Sequence, residues 1–381
     1  YRNCNLSERL KSKLNRALRI AMEIVIIGLP QSGKSSLFDA LTKGISATSG
    51  IGNGIDMKIG TAKVPDERLD KLAEMYKPQK VIPAEIKYWD PPGMESGIST
   101  ESVSGRYRNI LQSADALLIC IRAFESPFIP HIKGDVDPLR DLNSILEELI
   151  YTDLDMADNA LTRLQEGFKK AKPEERPTVE RQIDSMSQIK QALEKNIPVS
   201  EIESSLADIQ FLSNYQFLTN KPVIVVYNIG ESSDEMHLLE KISTYNGTLS
   251  EISVPAQTEA ELSQMSLEEE LEFRNDLGLE HSACDQIINA TYSGLNLISF
   301  LTVGPDEVRA WPVGANLTAP EAAGAIHTDF IKGFVKAEVV TYENLLKCGG
   351  WTESKKEGLC KSEGKTYEVQ DGDIINFLIN Q

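Results

Sequence analysis

The stretch with the clearest chemistry is Gly28-Leu29-Pro30-Gln31-Ser32-Gly33-Lys34-Ser35, which has the spacing G-x-x-x-x-G-K-[ST]. The two glycines let the backbone wrap closely around a phosphate. Successive N–H groups and a helix N-terminus supply positive potential, Lys34 reaches the outer phosphates, and the Ser35 hydroxyl can ligate Mg²⁺. The phosphate-binding set is therefore Pro30, Gln31, Ser32, Gly33, Lys34, Ser35 and Ser36. A second metal anchor is required, and Asp90-Pro91-Pro92-Gly93 supplies a D-x-x-G pattern. Asp90 would hold the metal through a water, and the Gly93 N–H would sense the terminal phosphate. Base selection is expected at Asn228-Ile229-Gly230-Glu231. In the guanine-reading pattern N-K-x-D the aspartate accepts two hydrogen bonds from the base. Here a glutamate one methylene longer and an isoleucine in place of the stacking lysine remove guanine's advantage.

These residues need elements to hold them. Glu23 to Ile27, E-I-V-I-I, reads as a buried parallel strand leading into the loop, and a helix from Ser35 to Leu41 follows. An edge strand from Ala84 to Trp89 runs into Asp90, and the run Lys221 to Tyr227 delivers Asn228. The fold class is α/β, a P-loop nucleotide-binding domain of residues 22–135 and 219–294. Residues 136–218 are an insertion. Leu142, Ile145, Leu146 and Leu149, then Ile183, Met186, Ile189 and Leu193, recur at helical intervals on either side of a break at Lys172–Pro177. That pattern predicts an antiparallel coiled-coil hairpin, an arm suited to a protein partner. Residues 295–381 alternate in short strand-like runs around a helix at Ala319–His327, a small mixed sheet. His131 and His327 read as structural rather than catalytic.

Composition limits the partners. The net charge of −18 over 381 residues excludes a protein coated in positive potential, so any RNA contact must be local. The five cysteines are scattered without a C-x-x-C pair, which fits reduced thiols in a cytoplasm rather than zinc or disulfides. No stretch reaches the roughly 18–20 apolar residues of a membrane span. The basic residues 1–21, with Leu6, Leu10, Leu14 and Leu18 at helical spacing, read either as an amphipathic helix or as an extension preceding a start at Met22.

The order P-loop, D-x-x-G, N-x-x-E resembles the YchF or Obg-like ATPases. The likeness continues through R-A-F-E (Arg122–Glu125), H-I-K-G-D-V-D-P-L-R-D (His131–Asp141), V-P-A-Q-T-E-A-E-L (Val254–Leu262) and E-V-R-A-W (Glu307–Trp311). It also covers Ala322–Phe334 and Val369–Leu378, similar to that family's C-terminal TGS-type domain. The resemblance implies an Obg-like G domain, the inserted coiled coil and a β-grasp (TGS-like) module. It implies ATP preferred over GTP, with Phe124 and Ile229 flanking adenine, Asn228 reading its amino edge, Glu231 excluding guanine and Ala256 within the nucleotide-binding set. It implies slow Mg²⁺-dependent hydrolysis to ADP and phosphate, with ribosomes or RNA as partners.

Two departures concern the switches. Gly54 stands where the family has its switch threonine, leaving Thr48 or Thr61 as substitutes, and the family's glycine- and lysine-rich run after D-x-x-G is replaced by G-M-E-S-G-I-S-T-E (Gly93–Glu101). Met94, apolar like the family's residue there, cannot orient a water. No catalytic residue is identified. The alternatives are a non-hydrolytic nucleotide-binding adaptor and, less well supported, a true GTPase.

Overall fold

The computed structural model describes residues 22–50, 56–91, 105–202, 211–230, 248–276 and 282–380. The chain forms two compact units, one of residues 23–60 and 88–287, the other of 61–87 and 288–380.

The first unit carries the nucleotide-binding sheet. Its strands are β1 (Met22–Ile27), β2 (Ser46–Gly50), β3 (Asp56–Lys63), and, past the short β4 (Lys80–Ile82), β5 (Glu85–Asp90), β6 (Ala116–Ala123), β7 (Val223–Ile229) and β8 (Thr248–Val254). They lie in the order β2-β3-β5-β1-β6-β7-β8. β1, β6, β7 and β8 pair in parallel, while β2 and β3 form an antiparallel hairpin. Every residue of β6 and β7 is buried, as expected for parallel strands covered on both faces. β1 is central with neighbours on both sides, so the loop leaving its C-terminal end opens at the switch point where such sheets bind ligands.

Two expectations need correcting. β5 is not an edge strand but lies between β3 and β1, which brings Asp90 beside the β1 loop. Asn228 and Ile229 do not follow β7 but are its last two residues.

α1 (Lys34–Thr42) continues from the β1 loop, its left-handed N-cap provided by Gly33. α2 (Glu67–Tyr76) belongs to the second unit, and α3 (Gly105–Ser113) precedes β6. The insertion is α4 (Pro138–Lys170) and the shorter α5 (Arg176–Leu193). Asp137 caps α4 through the Arg140 N–H at 3.0 Å, and Pro138 begins it. Ile150, Ala157 and Ala160 on α4 pack against Met186, Ile189 and Leu193 on α5, joined by Phe217 from the returning chain. Asp153, fully buried on α4, accepts from Leu218 N (2.8 Å), Thr219 N (2.7 Å) and Thr219 Oγ1 (2.7 Å). These bonds fix the root of the arm to the turn, Leu218–Asn220, that leads into β7. α6 (Ala256–Leu262), α7 (Leu267–Asp276) and α8 (Ala283–Gly294) complete the helices before the C-terminal sheet. Glu259 of α6 and Arg274 of α7 form a buried bidentate pair at 3.1 and 2.7 Å.

The second unit is a sheet of order β12-β11-β13-β9-β10-β4, built from β9 (Leu297–Val303), β10 (Glu307–Gly314), β11 (Phe334–Thr341), β12 (Lys361–Glu363) and β13 (Asp373–Ile379). Its core sets Phe300, Trp311 and Phe334 against α9 (Ala319–Ile326), whose N-terminus carries a Thr318–Glu321 capping box. This is the mixed β-grasp sheet with its crossing helix. Residues 61–87 differ from the expected boundaries. β4 pairs with β10, Arg68 of α2 bonds Asp371 at 2.7 Å, and Tyr76 Oη accepts from Trp351 N at 2.9 Å, so this segment packs with the C-terminal sheet.

Candidate nucleotide-binding site

The loop after β1 is shaped by backbone geometry that few residues tolerate. Gly33 has φ 92°, and a Cβ there would collide with the Asn228 amide; a Cβ on Gly28 would collide with the Cys120 carbonyl. Gln31 also lies in the left-handed region at φ 61°. Lys34, buried, donates from Nζ to its own loop at Gly28 O (3.0 Å) and Leu29 O (2.8 Å). Burial lowers its pKa, while Cys120 and Asp90 pull in the other direction. Its ammonium thus occupies carbonyls that a phosphate oxygen would replace.

Ser35 Oγ donates to Asp90 Oδ2 at 2.9 Å, joining the two sequence-predicted metal ligands. Burial pushes the Asp90 carboxyl upward, opposed by the Ser35 hydrogen bond and by the Lys34 charge. A hydroxyl beside a buried carboxylate is the hard-oxygen donor set that Mg²⁺ takes, with phosphate and water completing its shell. No group of three or more His, Cys, Asp or Glu side chains suited to a metal exists among the described residues.

Asn228 is placed differently from expectation. Its Nδ2 donates to Ser32 O at 2.9 Å and its Oδ1 accepts from Ala256 N at 3.1 Å, all in a buried setting. The amide bridges the phosphate loop to the first turn of α6 instead of standing free for a base. Ala256 therefore enters the site through its backbone N–H. Ile229 is only 8% exposed and packs in the sheet core with Tyr227 and Ile121, which leaves little of it to cover adenine. Phe124 is half-buried, and Arg122 lies 4.5 Å from its ring centroid. Pro30 is half-buried, Gln31 exposed and Ser36 half-buried; the Ser36 hydroxyl reaches Gln257 Oε1 at 3.5 Å. Gly54, Gly93, Met94 and Glu231 lie outside the described residues. Thr48 is in β2, opposite Lys58.

Three contributors carry little or no signal in the sequence. Arg122, buried at the end of β6, donates to Phe124 O (3.1 Å) and Ile129 O (2.7 Å) and so shapes the turn that presents Phe124. Cys120 donates its thiol to Ser32 O at 3.4 Å, and burial pushes that thiol up to about 12, which keeps it protonated. Gln257 approaches Ser36. Arg122 and Gln257 leave a trace, as the first residue of R-A-F-E and the fourth of V-P-A-Q-T-E-A-E-L, and Cys120 leaves none. The histidines are structural: His131 Nε2 donates to buried Asp141 at 2.8 Å while its Nδ1 accepts from Lys133 N, and His327 caps a helix through Asp329 N.

Two family models match the chain: one described as 50S ribosome-binding GTPase over residues 23–156, and YchF-GTPase_C, described as a protein of unknown function, over 297–380. A ribosome-binding ATPase YchF of Haemophilus influenzae is 37% identical over 364 residues, spanning 93% of this chain and 98% of its own. The Bacillus subtilis protein of the same name is 36% identical over 371 residues, spanning 95% and 100%. The chain belongs to the YchF family. The solved structure of the Schizosaccharomyces pombe YchF GTPase agrees in fold, with TM-score 0.80 at 29% identity over 94% of this chain and 97% of that one. Within the YchF frame, the hairpin α4–α5 is the inserted coiled coil, and the sheet from β9 onward is the part the C-terminal model matches. No helix among the described residues is long and apolar enough to cross a membrane.

Proposed function

We propose that this protein binds ATP at the β1–α1 loop and hydrolyses it slowly to ADP and phosphate, acting in the cytoplasm as a conformational switch linked to the ribosome or its RNA. The observation that carries the reading is the pairing of Lys34, folded on Gly28 O and Leu29 O, with Ser35 hydrogen-bonded to Asp90. Both pairs are poised for exchange. A phosphate draws the Lys34 ammonium off the loop carbonyls, and loop N–H groups with the α1 N-terminus hold the anion. Mg²⁺, where bound, would be held by Ser35 and, through water, by Asp90, and would neutralise charge on the outer phosphates. Its donors fit; the ribosome link rests on the names of the curated relatives.

Asn228 acts in this reading by bracing the phosphate loop against α6, and Ala256 by its N–H. Phe124 supplies one wall for the base, Ile229 only an edge, and Glu231 with Gly93 the remaining polar contacts proposed from their motifs. No described side chain stands as general base, so water attack on the terminal phosphorus relies on electrostatic stabilisation, and slow turnover follows. Gly54 and the rewritten run after Gly93 favour a second reading, a non-hydrolytic adaptor for a protein or RNA partner through the arm. A competition titration of labelled ATP with unlabelled ATP and GTP tests the base assignment; GTP displacing as well as ATP would sink it.

A further inference from the structure

The arm meets the sheet domain at a cleft of about 500 Å³, separate from the phosphate loop, with an apolar floor of Met156 and Ala160 and a rim that includes Arg108, Gln112, Asn159, Arg163, Asn214 and Tyr215. Its walls come from three elements. Arg108 and Gln112 are four residues apart on α3, and Asn159 and Arg163 are four apart on α4, so each pair shares one helix face. Asn214 and Tyr215 lie in the chain returning from the arm. Among the described residues neither Arg108 nor Arg163 has an ion-pair partner, in a chain whose net charge is −18. The Tyr215 ring is held rigidly, edge-on to Phe211 at 5.1 Å and stacked on Phe217 at 6.0 Å. Burial raises the Tyr215 phenol and the Arg163 charge pulls it back, which places the guanidinium in the field of that hydroxyl.

The carboxamides are engaged within the protein, Gln112 Nε2 donating to Met156 Sδ (3.1 Å), Asn159 Nδ2 to Asp155 O (2.8 Å) and Asn214 Nδ2 to Phe211 O (3.1 Å), so the recognition falls to the two guanidiniums and the fixed aromatic ring. Arginine forks take phosphate oxygens and an aromatic face takes a base. We propose that the cleft receives one unpaired nucleotide of a single-stranded RNA, its phosphate between Arg108 and Arg163 and its base against Tyr215. The proposal rests on the ribosome-linked reading above and gives it a point of attachment.

Position gives the cleft a consequence. α3 is the first described element after the D-x-x-G segment, and Lys221, just before β7, donates from Nζ to the Gln112 and Ala114 carbonyls at the end of α3. A nucleotide held by Arg108 on one side and Arg163 on the other therefore bears on the helix that follows the switch.

The test is anisotropy of a short fluorescein-labelled single-stranded RNA with the full chain, for wild type, Arg163→Glu, Arg108→Gln and the arm control Arg181→Glu, each first checked by thermal melting. Arg163 and Arg181 are exposed, so charge reversal at either leaves the core intact. We expect about tenfold weaker binding for the two cleft variants and less than about twofold for Arg181→Glu. The slope of affinity against salt should flatten by about 0.7 for each phosphate that a cleft variant no longer neutralises. Equal weakening by Arg181→Glu, or no RNA binding by wild type, overturns the cleft assignment; uridine monophosphate binding as tightly as the RNA overturns the single-strand occupant. Sedimentation of wild type with ribosomes separates the levels: association without RNA binding in the cleft leaves the ribosome link standing, and its absence removes the link itself.

Discussion

Replacing Asn228 by alanine separates two roles that the sequence alone does not distinguish. The amide donates to Ser32 O at 2.9 Å and accepts from Ala256 N at 3.1 Å. Truncation leaves a buried carbonyl and a buried N–H without these partners, at about 1–3 kcal/mol each. The Cys120 thiol still donates weakly to Ser32 O, so the total lies nearer the lower end, about 2–4 kcal/mol. Part of this appears as lower stability and part as a looser phosphate loop, since Gly33 loses the amide packed against it. If half reaches binding, affinity falls by roughly 5- to 30-fold. A brace acts on the phosphates, which ATP and GTP share, so both should weaken by the same factor. Calorimetry with each nucleotide beside thermal melting measures this. A variant that melts like wild type but changes the ATP-to-GTP ratio about tenfold would show that Asn228 reads the base, refuting the brace.

Gly28→Ala should impair nucleotide binding at least tenfold by titration, because its Cβ meets the Cys120 backbone carbonyl, which cannot swing aside as a side chain could. Glu259→Ala removes the bidentate partner of buried Arg274 but leaves Glu270 at 2.9 Å, so it should cost about 3 kcal/mol in denaturant unfolding, the lower end for a broken buried pair. Asp153 has its pKa raised by burial from 3.8 to about 6, so it favours the folded state most below pH 4, and that contribution is lost as pH rises through about 6. Asp153→Asn should remove this loss, on the order of 3 kcal/mol, flattening the pH–stability curve between those limits.

The phosphate site is legible in the sequence because its requirements are local. Two glycines, a lysine and a serine at fixed spacing encode both the backbone path and the chemistry, and D-x-x-G after a strand locates Asp90. What escapes depends on direction or distance. The motif locates Asn228, but only the fold shows its amide turned toward Ser32 and Ala256. Nothing local in Lys80–Ile82 announces a parallel pairing with Glu307–Arg309, so the sequence pattern leaves residues 61–87 with the nucleotide-binding sheet. Asp153 looks like an ordinary solvated charge in an amphipathic insertion and Lys221 like one at the start of a strand, yet both are buried, Asp153 anchoring the root of the arm and Lys221 the end of α3. The arm's helices are visible from their apolar spacing, whereas the cleft beneath it arises only where α3, α4 and the returning chain converge.

The central claim is that the β1–α1 loop turns over ATP. Single-turnover phosphate release from ATP with Mg²⁺, on protein freed of nucleotide and beside Lys34→Ala, tests it most directly. The account predicts slow release by the wild type, weaker with GTP and absent in Lys34→Ala. Tight ATP binding with no phosphate released by the wild type would contradict it and leave the adaptor reading.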